Sequence, residues 1–425
     1  MARQMKDSGV EWIGEIPEDW DILPLGNCFN ERNEKVSDYD WEPLSVTKQG
    51  IVKQLETAAK SDAHDARKKV CERDFVINSR SDRKQSCGVS PYDGSVSLIN
   101  IVLSSRFLNT EYVKYLLKNY GFAEEFYRWG TGIVADLWST KYERMKKIML
   151  PIPDETEQQK IADFLDEKVG EIDSVIVKTK ETIEDYKKYK QAIITDAVTK
   201  GLNPNVEMKE SKNSYLGTIP AHWVEKRLRF LGLCQNGISK SSEYFGEGYP
   251  FVSYGDVYKN YALLESGSGL IKSSEDDRKI YSVQYGDIFF TRTSETIEEV
   301  GFASTCLKTI EDAAFAGFVI RFRPNNQEEL LPEFSKYYFR SEAHRKFFVK
   351  EMNLVTRASL SQELLKKLPV LLPPLEEQRK IAEYLDEKCS EIDKLIAKKE
   401  ELLADLESYK KSLIYEYVTG KKKVE

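Results

Sequence analysis

Pro153-Asp154 followed by Asp166-Glu167-Lys168 loosely imitates the carboxylate and lysine set with which a nuclease organises Mg²⁺. That chemistry needs carboxylates fixed on neighbouring strands, whereas these residues open a long helical pattern. A later repeat of the same stretch also has Pro374 where Asp154 stands. Gly420-Lys421-Lys422 lacks the earlier glycine and the hydroxyl of a phosphate-binding loop. Asn203-Pro204-Asn205-Val206 departs at its third and fourth positions from the N-P-P-Y of an amino-methyltransferase. Six cysteines (28, 71, 87, 234, 306, 389) show no C-x-x-C spacing and the three histidines lie far apart, so no zinc pattern arises. Two polar tips after strand-like runs remain: Asn78 to Ser86 and Thr291 to Glu295. Arg, Lys, Asn, Gln and Ser are the side chains that hydrogen-bond to base edges. Asn78, Ser79, Arg80, Arg83, Lys84, Gln85, Thr291, Arg292, Thr293 and Ser294, with Arg357, are therefore the candidate DNA contacts, and Lys141 beside Gly130-Thr131-Gly132 could meet phosphates. For each of them a solvated surface role is the alternative.

The charge balance runs against that reading. The 425 residues carry a net charge of −7, and phosphate affinity comes chiefly from Lys and Arg. The carboxylates, however, crowd into helix starts such as Asp154-Glu155-Thr156-Glu157, where they suit the positive end of the helix dipole. Positive charge collects elsewhere, as in Arg67-Lys68-Lys69, Arg144 to Lys147 and Lys226 to Arg229. With 41% hydrophobic residues the chain can fill real cores, and no apolar run approaches the roughly 18 residues of a membrane span. The N-terminal stretch has no apolar core of a signal peptide, which argues against secretion and for reduced thiols in a cytoplasm.

The elements that must position these tips occur twice. Trp12-Ile-Gly-Glu-Ile-Pro-Glu-Asp-Trp20 returns as Tyr215-Leu-Gly-Thr-Ile-Pro-Ala-His-Trp223, and Glu157-Gln-Gln-Lys-Ile-Ala-Asp-Phe-Leu-Asp-Glu-Lys168 returns as Glu377-Gln-Arg-Lys-Ile-Ala-Glu-Tyr-Leu-Asp-Glu-Lys388. Asp74 to Arg80 and Tyr112 to Lys118 echo Asp287 to Thr293 and Phe334 to Arg340 more weakly. Matching flanks with a divergent middle suit a shared frame carrying two binding surfaces; neutral drift of loops would look similar.

After the second motif come heptad ladders. Leu165, Val169, Ile172, Ile176, Thr179, Ile183, Tyr186, Lys190, Ile193 and Ala197 form one; Leu385, Cys389, Ile392, Ile396, Lys399, Leu403, Leu406, Lys410, Leu413 and Tyr417 form the other. Polar residues interrupt both at the same two rungs, which suggests that the helices face each other as an antiparallel pair. A coiled-coil homodimer would satisfy the same ladders. Pro153 and Pro373 before them, and Gly201 and Gly420 near their ends, act as start and stop signals. The expected divisions are 1–152 and 218–372 as globular domains, 153–200 and 373–425 as helices, and 201–217 as a connector. The fold class is α+β, with two α/β domains separated by a pair of long antiparallel coiled-coil helices in a pseudo-twofold internal repeat.

The G-x-I-P-x-x-W openings, divergent middles and E-Q-x-K-I-A-x-x-L-D-E-K helices together resemble the specificity (S) subunit of type I restriction-modification enzymes, over essentially the whole chain. Gly286-Asp287 before a strand also fits that family, while the first copy has Arg73 at the glycine's place, so its turn is expected to differ.

The resemblance implies a non-catalytic, cytoplasmic protein whose two domains are target-recognition domains, each reading half of a bipartite site in double-stranded DNA. The helices would fix the gap and dock two methyltransferase (M) subunits, which use S-adenosylmethionine to methylate adenine at N6. Restriction (R) subunits, using ATP and Mg²⁺, would join them. No cofactor is expected in this chain and no membrane partner. The helix interface would comprise Leu165, Ile172, Ile176, Ile183, Ile193, Leu385, Ile392, Ile396, Leu403, Leu406 and Leu413. An unrecognised nuclease and a scaffold with two adhesive domains are the alternatives from other classes.

Overall fold

The computed structural model describes residues 3–54, 64–132, 138–294, 300–351 and 358–424. The chain forms two compact units: Met1–Lys180 with Glu400–Glu425, and Glu181–Lys399.

In the first unit a hairpin pairs Met5–Asp7 with Glu15–Pro17, and Asp21–Pro24 pairs antiparallel with Met149–Ile152. Its main sheet comprises β1 (Phe29–Glu31), β2 (Phe75–Asn78), β3 (Cys87–Val89) and β4 (Asn100–Ser105), in the antiparallel order β3-β2-β4-β1. Side chains alternate across a strand, and here both faces are covered. Phe75, Ile77, Ile101 and Leu103 enter a core shared with the helices, whereas Val76 and Val102 pack with Leu44, Ile51, Val70 and Val96. That double burial is why the runs Phe75-Val76-Ile77 and Ile101-Val102-Leu103 are continuously apolar. Helix α1 (Thr110–Leu116) follows, capped by Asn109, whose side chain accepts from the Glu111 backbone N–H. After the helices Tyr120–Arg128 and Tyr142–Met145 and the strand Met149–Ile152 comes the 46-residue α2 (Glu155–Lys200).

The second unit repeats this order. Met208–Glu210 pairs with Thr218–Pro220, and Val224–Arg227 with Pro369–Leu372. The sheet of β5 (Gly232–Asn236), β6 (Ile288–Thr291), β7 (Ala303–Thr305) and β8 (Val319–Pro324) runs β7-β6-β8-β5, the same topology strand for strand. Ile288, Phe290, Ile320 and Phe322 face one core, and Phe289 and Val319 the other. Helices α3 (Pro332–Tyr338) and α4 (Leu375–Val418) close the repeat. The smaller sheets diverge: three antiparallel strands, Lys35–Val36, Arg67–Val70 and Gly94–Ser97, in the first unit, and Phe245–Val252 with one antiparallel and one parallel neighbour in the second.

The repeated motifs are joints of the frame. The Trp20 indole N–H donates to the Glu157 carboxylate at 2.7 Å, and Trp223 to Glu377 at 3.1 Å, so the opening motif is bolted to the helix motif within each unit. The Gln158 amide donates to the Pro153 carbonyl and accepts from the Asn109 backbone N–H; Gln378 does the same with Pro373 and Leu331. A buried side-chain amide satisfied on both sides fixes how each long helix leaves the sheet.

The ladders are used as packing seams. Leu165, Ile172 and Ile176 of α2 are buried in the first unit's core with Leu413, and Leu403 and Leu406 pack against them partly buried. Leu385 and Ile392 are buried in the second unit and Ile396 is half-buried; Ile183 is buried. Ile193 is only partly buried and its neighbour Ile194 takes the core position, a one-residue shift that the mismatch between 3.6 residues per turn and a 3.5 repeat produces along a helix this long. Two of the four polar rungs are ion-paired. Lys190 donates to Asp393 in the second unit, and Lys410 to Asp173 in the first, at 2.6–2.8 Å. The Thr179 hydroxyl turns back to the Val175 carbonyl at 2.7 Å.

Contrary to expectation, the turn at Arg73 does not differ from that at Gly286. Both residues sit at positive φ, 70° and 87°.

Candidate nucleic-acid interface

The two polar tips occupy equivalent places, leaving β2 and β6 of the matching sheets. Each is tied to the segment ahead of the next short helix. The Thr140 backbone N–H donates to the Ser79 carbonyl at 2.9 Å, and that of Leu360 to the Arg292 carbonyl at 2.7 Å. Arg80 bridges Ser139 just as Thr293 and Ser294 pair with Ser359 and Ala358. Backbone placement is shared, while side-chain chemistry is not.

In the first tip, Asn78 accepts the Arg80 backbone N–H at 3.0 Å, which bends the chain out of the strand. Asp82 sits between Arg80 (3.0 Å) and Arg83 (3.7 Å), orienting two guanidinium groups around one carboxylate. Arg83 is 68% exposed and open to a ligand. Lys84 is paired with Glu124 beside the Tyr127 ring. Gln85 takes φ +62°. Lys141 is exposed at the start of the short helix Tyr142–Met145.

Two candidates serve the fold instead. Thr291 is fully buried and its hydroxyl accepts the Phe302 backbone N–H, and Ser79 is almost fully buried; the alternation along a doubly covered sheet turns these positions inward. In the second tip, Arg292 and Thr293 are half-buried. Arg357 lies outside the described residues. The basic run Arg67-Lys68-Lys69 is not a free patch: Arg67 is buried against Ser95, and the two lysines pair with Glu31 and Glu34.

The nuclease-like residues are likewise spent. Asp154 accepts the Glu157 backbone N–H at the head of α2, Asp166 receives both Lys114 and Tyr115, and Lys168 bonds Glu167 and Glu171. Among the described residues no group of three or more His, Cys, Asp or Glu side chains is placed to hold a metal ion, and no helix is long and apolar enough to cross a membrane.

Sequence reasoning passed over a cleft beside the first tip. It measures about 760 Å³ and is lined by Lys48, Gln49, Gln85, Lys118 and Lys411, with the Lys114–Asp166 and Lys410–Asp173 pairs on its wall. Its signal was available in the repeat itself, where Lys118 aligns with Arg340.

The model of the type I restriction modification DNA specificity domain matches residues 220–405, a span that runs from the second opening motif into α4 and so covers one copy of the repeat. Along nearly the whole chain, the specificity subunit of the type I restriction enzyme EcoKI from Escherichia coli K12 is 23% identical over 414 residues, covering 94% of this chain and 82% of that protein. The putative MjaX specificity subunit of Methanocaldococcus jannaschii is 24% identical over 448 residues, covering 97% and 96%. Over residues 220–405 the chain therefore carries a type I restriction modification DNA specificity domain, and along its length it is similar to type I specificity subunits. The relatives are named as specificity subunits, which are non-catalytic. The fold agrees: a chain solved in a study of complex assembly and conformational transition of the type I R-M system superposes with a TM-score of 0.72 at 15% identity, covering 96% of this chain and 99% of that one. The HsdS subunit of Thermoanaerobacter tengcongensis gives 0.50 at 17%, covering 96% and 98%.

Proposed function

We propose that this chain reads a bipartite site in double-stranded DNA, one half with residues 1–152 and the other with 218–372, and directs adenine-N6 methylation or restriction by partner subunits. The observation that carries the reading is the pair of sheets with one topology and two different tips: Asn78 to Gln85 around Asp82 in one, Arg292 to Ser294 in the other. Equal backbones with unequal hydrogen-bonding side chains are what two unlike half-sites require. Arg83 and Lys141 are the exposed cations best suited to bases and phosphates in the first half; Arg292 leads in the second.

Residues 153–200 and 373–425 would act as the spacer that sets the gap, with half-sites roughly one turn, 34 to 36 Å, apart on one face of the duplex. Their outward positions suit docking by two M subunits. Val175 and Tyr189 on α2, and Leu395 and Tyr409 at the equivalent places on α4, are apolar yet exposed, as an interface core requires. S-adenosylmethionine, ATP and Mg²⁺ would belong to the M and R subunits, and the complex would work in the cytoplasm.

Methylome sequencing of a host expressing the chain with its M subunit, against a host lacking the chain, tests this. A bipartite N6-methyladenine motif appearing only with the chain is the expected result. A stable complex that methylates no new motif would refute it.

A further inference from the structure

The cleft of the first unit and its counterpart in the second are built from the same parts and differ in one respect. In each, the lysine and tyrosine near the end of the short helix share one aspartate of the long helix: Lys114 and Tyr115 with Asp166, Lys336 and Tyr337 with Asp386. In each, an interhelical lysine meets a second aspartate, Lys410 with Asp173 and Lys190 with Asp393. The cation two residues past α1 or α3 is treated differently. Arg340 is consumed by the fold, donating to the carbonyls of Ala303, Val257, Tyr258 and Asn260 at 2.6–3.1 Å and lying over the rings of Tyr261 and Phe302. Lys118 is half-buried, and its amine has no hydrogen-bond or ion-pair partner among the described residues.

A half-buried ammonium without a direct ion-pair partner is costly, and this one also stands near the amines of Lys410 and Lys114. Burial first, with the amines of Lys410 and Lys114 adding to it, pushes its pKa down against the opposing pull of Cys87 and Asp173. Around it, three of the six lysines lining the cleft face carboxylates (Lys114, Lys410 and, at 3.9 Å, Lys180 with Glu407), which leaves Lys48, Lys118 and Lys411 without a carboxylate partner among the described residues. The smaller cleft of the second unit, about 520 Å³, has Lys336 and Lys190 both paired and only Lys394 to spare. Among the described residues the first cleft therefore holds three uncompensated lysines and the second holds one.

We infer that the cleft of the first unit is a phosphate site, in which Lys118, flanked by Lys48 and Lys411, receives a backbone phosphate of the DNA whose bases the adjoining tip reads. Gln85 supplies the continuity, being both the last candidate of that tip and a lining residue of the cleft. An anion held there would supply Lys118 with a direct ion-pair partner, and a duplex lying against the tip presents phosphates along its whole length. The inference rests on the DNA-reading function proposed above. An acidic segment of a partner protein is the competing occupant, and the test separates the two.

The test uses the full chain assembled with its M subunits and a fluorescent duplex carrying the motif that the wild-type complex methylates. Binding is followed by anisotropy across a salt series. Lys118→Gln is expected to weaken binding roughly five- to twentyfold at about 100 mM salt and to reduce the slope of log affinity against log salt by about 0.9, the signature of one lost phosphate contact, without altering the methylated motif. Lys118→Arg should restore the slope. Arg340→Gln should lower the melting temperature and leave the slope alone.

Unchanged affinity and slope in Lys118→Gln, with wild-type binding intact, would overturn the cleft assignment while sparing the tips. Loss of M subunits at unchanged slope would overturn it in favour of a protein occupant. If the wild-type complex itself shows no salt-dependent binding, the functional reading falls and the phosphate site falls with it. Should Lys118→Gln fail to fold, the exposed pair Lys48→Gln and Lys411→Gln decides: a reduced slope supports the site and an unchanged slope removes it.

Discussion

Arg73 and Gly286 hold the same left-handed turn, each donating its backbone N–H across the sheet, Arg73 to Ser90 and Gly286 to Cys306. In both copies the next residue closes the turn: Asp74 accepts the Cys71 backbone N–H and Asp287 that of Gln284, each at 2.8 Å. A side chain at positive φ costs about 1–2 kcal/mol, part of which glycine would return to unfolded-chain entropy. Arg73→Gly is therefore expected to stabilise the first unit by up to about 1 kcal/mol. Gly286→Ala should destabilise the second by at least that much, since its new methyl would also meet the Gln327 amide at 2.8 Å. Thermal unfolding of the two variants would show shifts of opposite sign, and equal shifts would refute the argument.

Among the described residues, the interhelical pairs Lys190–Asp393 and Lys410–Asp173 stand at the lysine rungs of the ladders that find a carboxylate across the seam. Half-exposed pairs of this kind contribute about 0.2–1 kcal/mol each and are screened by salt. Asp393→Ala and Asp173→Ala should lower stability within that range at low salt and less at high salt. Exchanging the charges, Lys190→Asp with Asp393→Lys, should recover most of the loss in a double-mutant cycle. A coupling indistinguishable from zero would reduce these residues to solubility alone.

Much of this was legible because apolar periodicity records burial. The ladders, the strand runs Phe75-Val76-Ile77 and Phe318 to Phe322, and the matched motifs all survive as structure, and Trp20–Glu157 explains why the two ends of the repeat are its best-kept parts. Residues whose role depends on a distant partner were not legible. Arg67-Lys68-Lys69 reads as surface charge until the strand Gly94–Ser97 brings Ser95 against Arg67. Thr291 reads as a base contact until the second face of its sheet is covered. Lys118 and Arg340 are one position in the repeat, separated only by whether the helix Tyr254–Lys259 and the residue after it supply carbonyls to a guanidinium, as they do in the second unit.

His344 makes the second unit sensitive to acid. Its ring is buried edge-on against Tyr338 at 4.4 Å between centroids, Nδ1 lies 2.9 Å from the Ser341 hydroxyl, and Nε2 has no partner among the described residues. Burial, reinforced by Arg345, lowers its pKa to about 3. The unfolded chain binds the proton near 6.5 while the folded unit refuses it, so stability complete above about pH 6.5 is lost progressively as pH falls toward 3. His344→Leu should flatten this part of the stability–pH curve for residues 181–399, read by hydrogen exchange. An unchanged slope would assign the acid sensitivity to the carboxylates instead.

The spacer role proposed for α2 and α4 predicts a change in the DNA rather than in the protein. Both helices carry apolar rungs at seven-residue spacing, so removing one heptad from each at matched places preserves the seam while shortening it by about 10 Å, or roughly three base pairs of duplex. Tips that read bases through their own sheets, and helices that only set their separation, would then give a methylated motif with both half-sites intact and a gap shorter by about that amount. Methylome sequencing reads both quantities at once. A complex that still assembles and methylates at the original gap would show that the helices hold the partner subunits together without measuring the DNA. A changed half-site would mean that base reading depends on how the domains are held, against the division of labour proposed here.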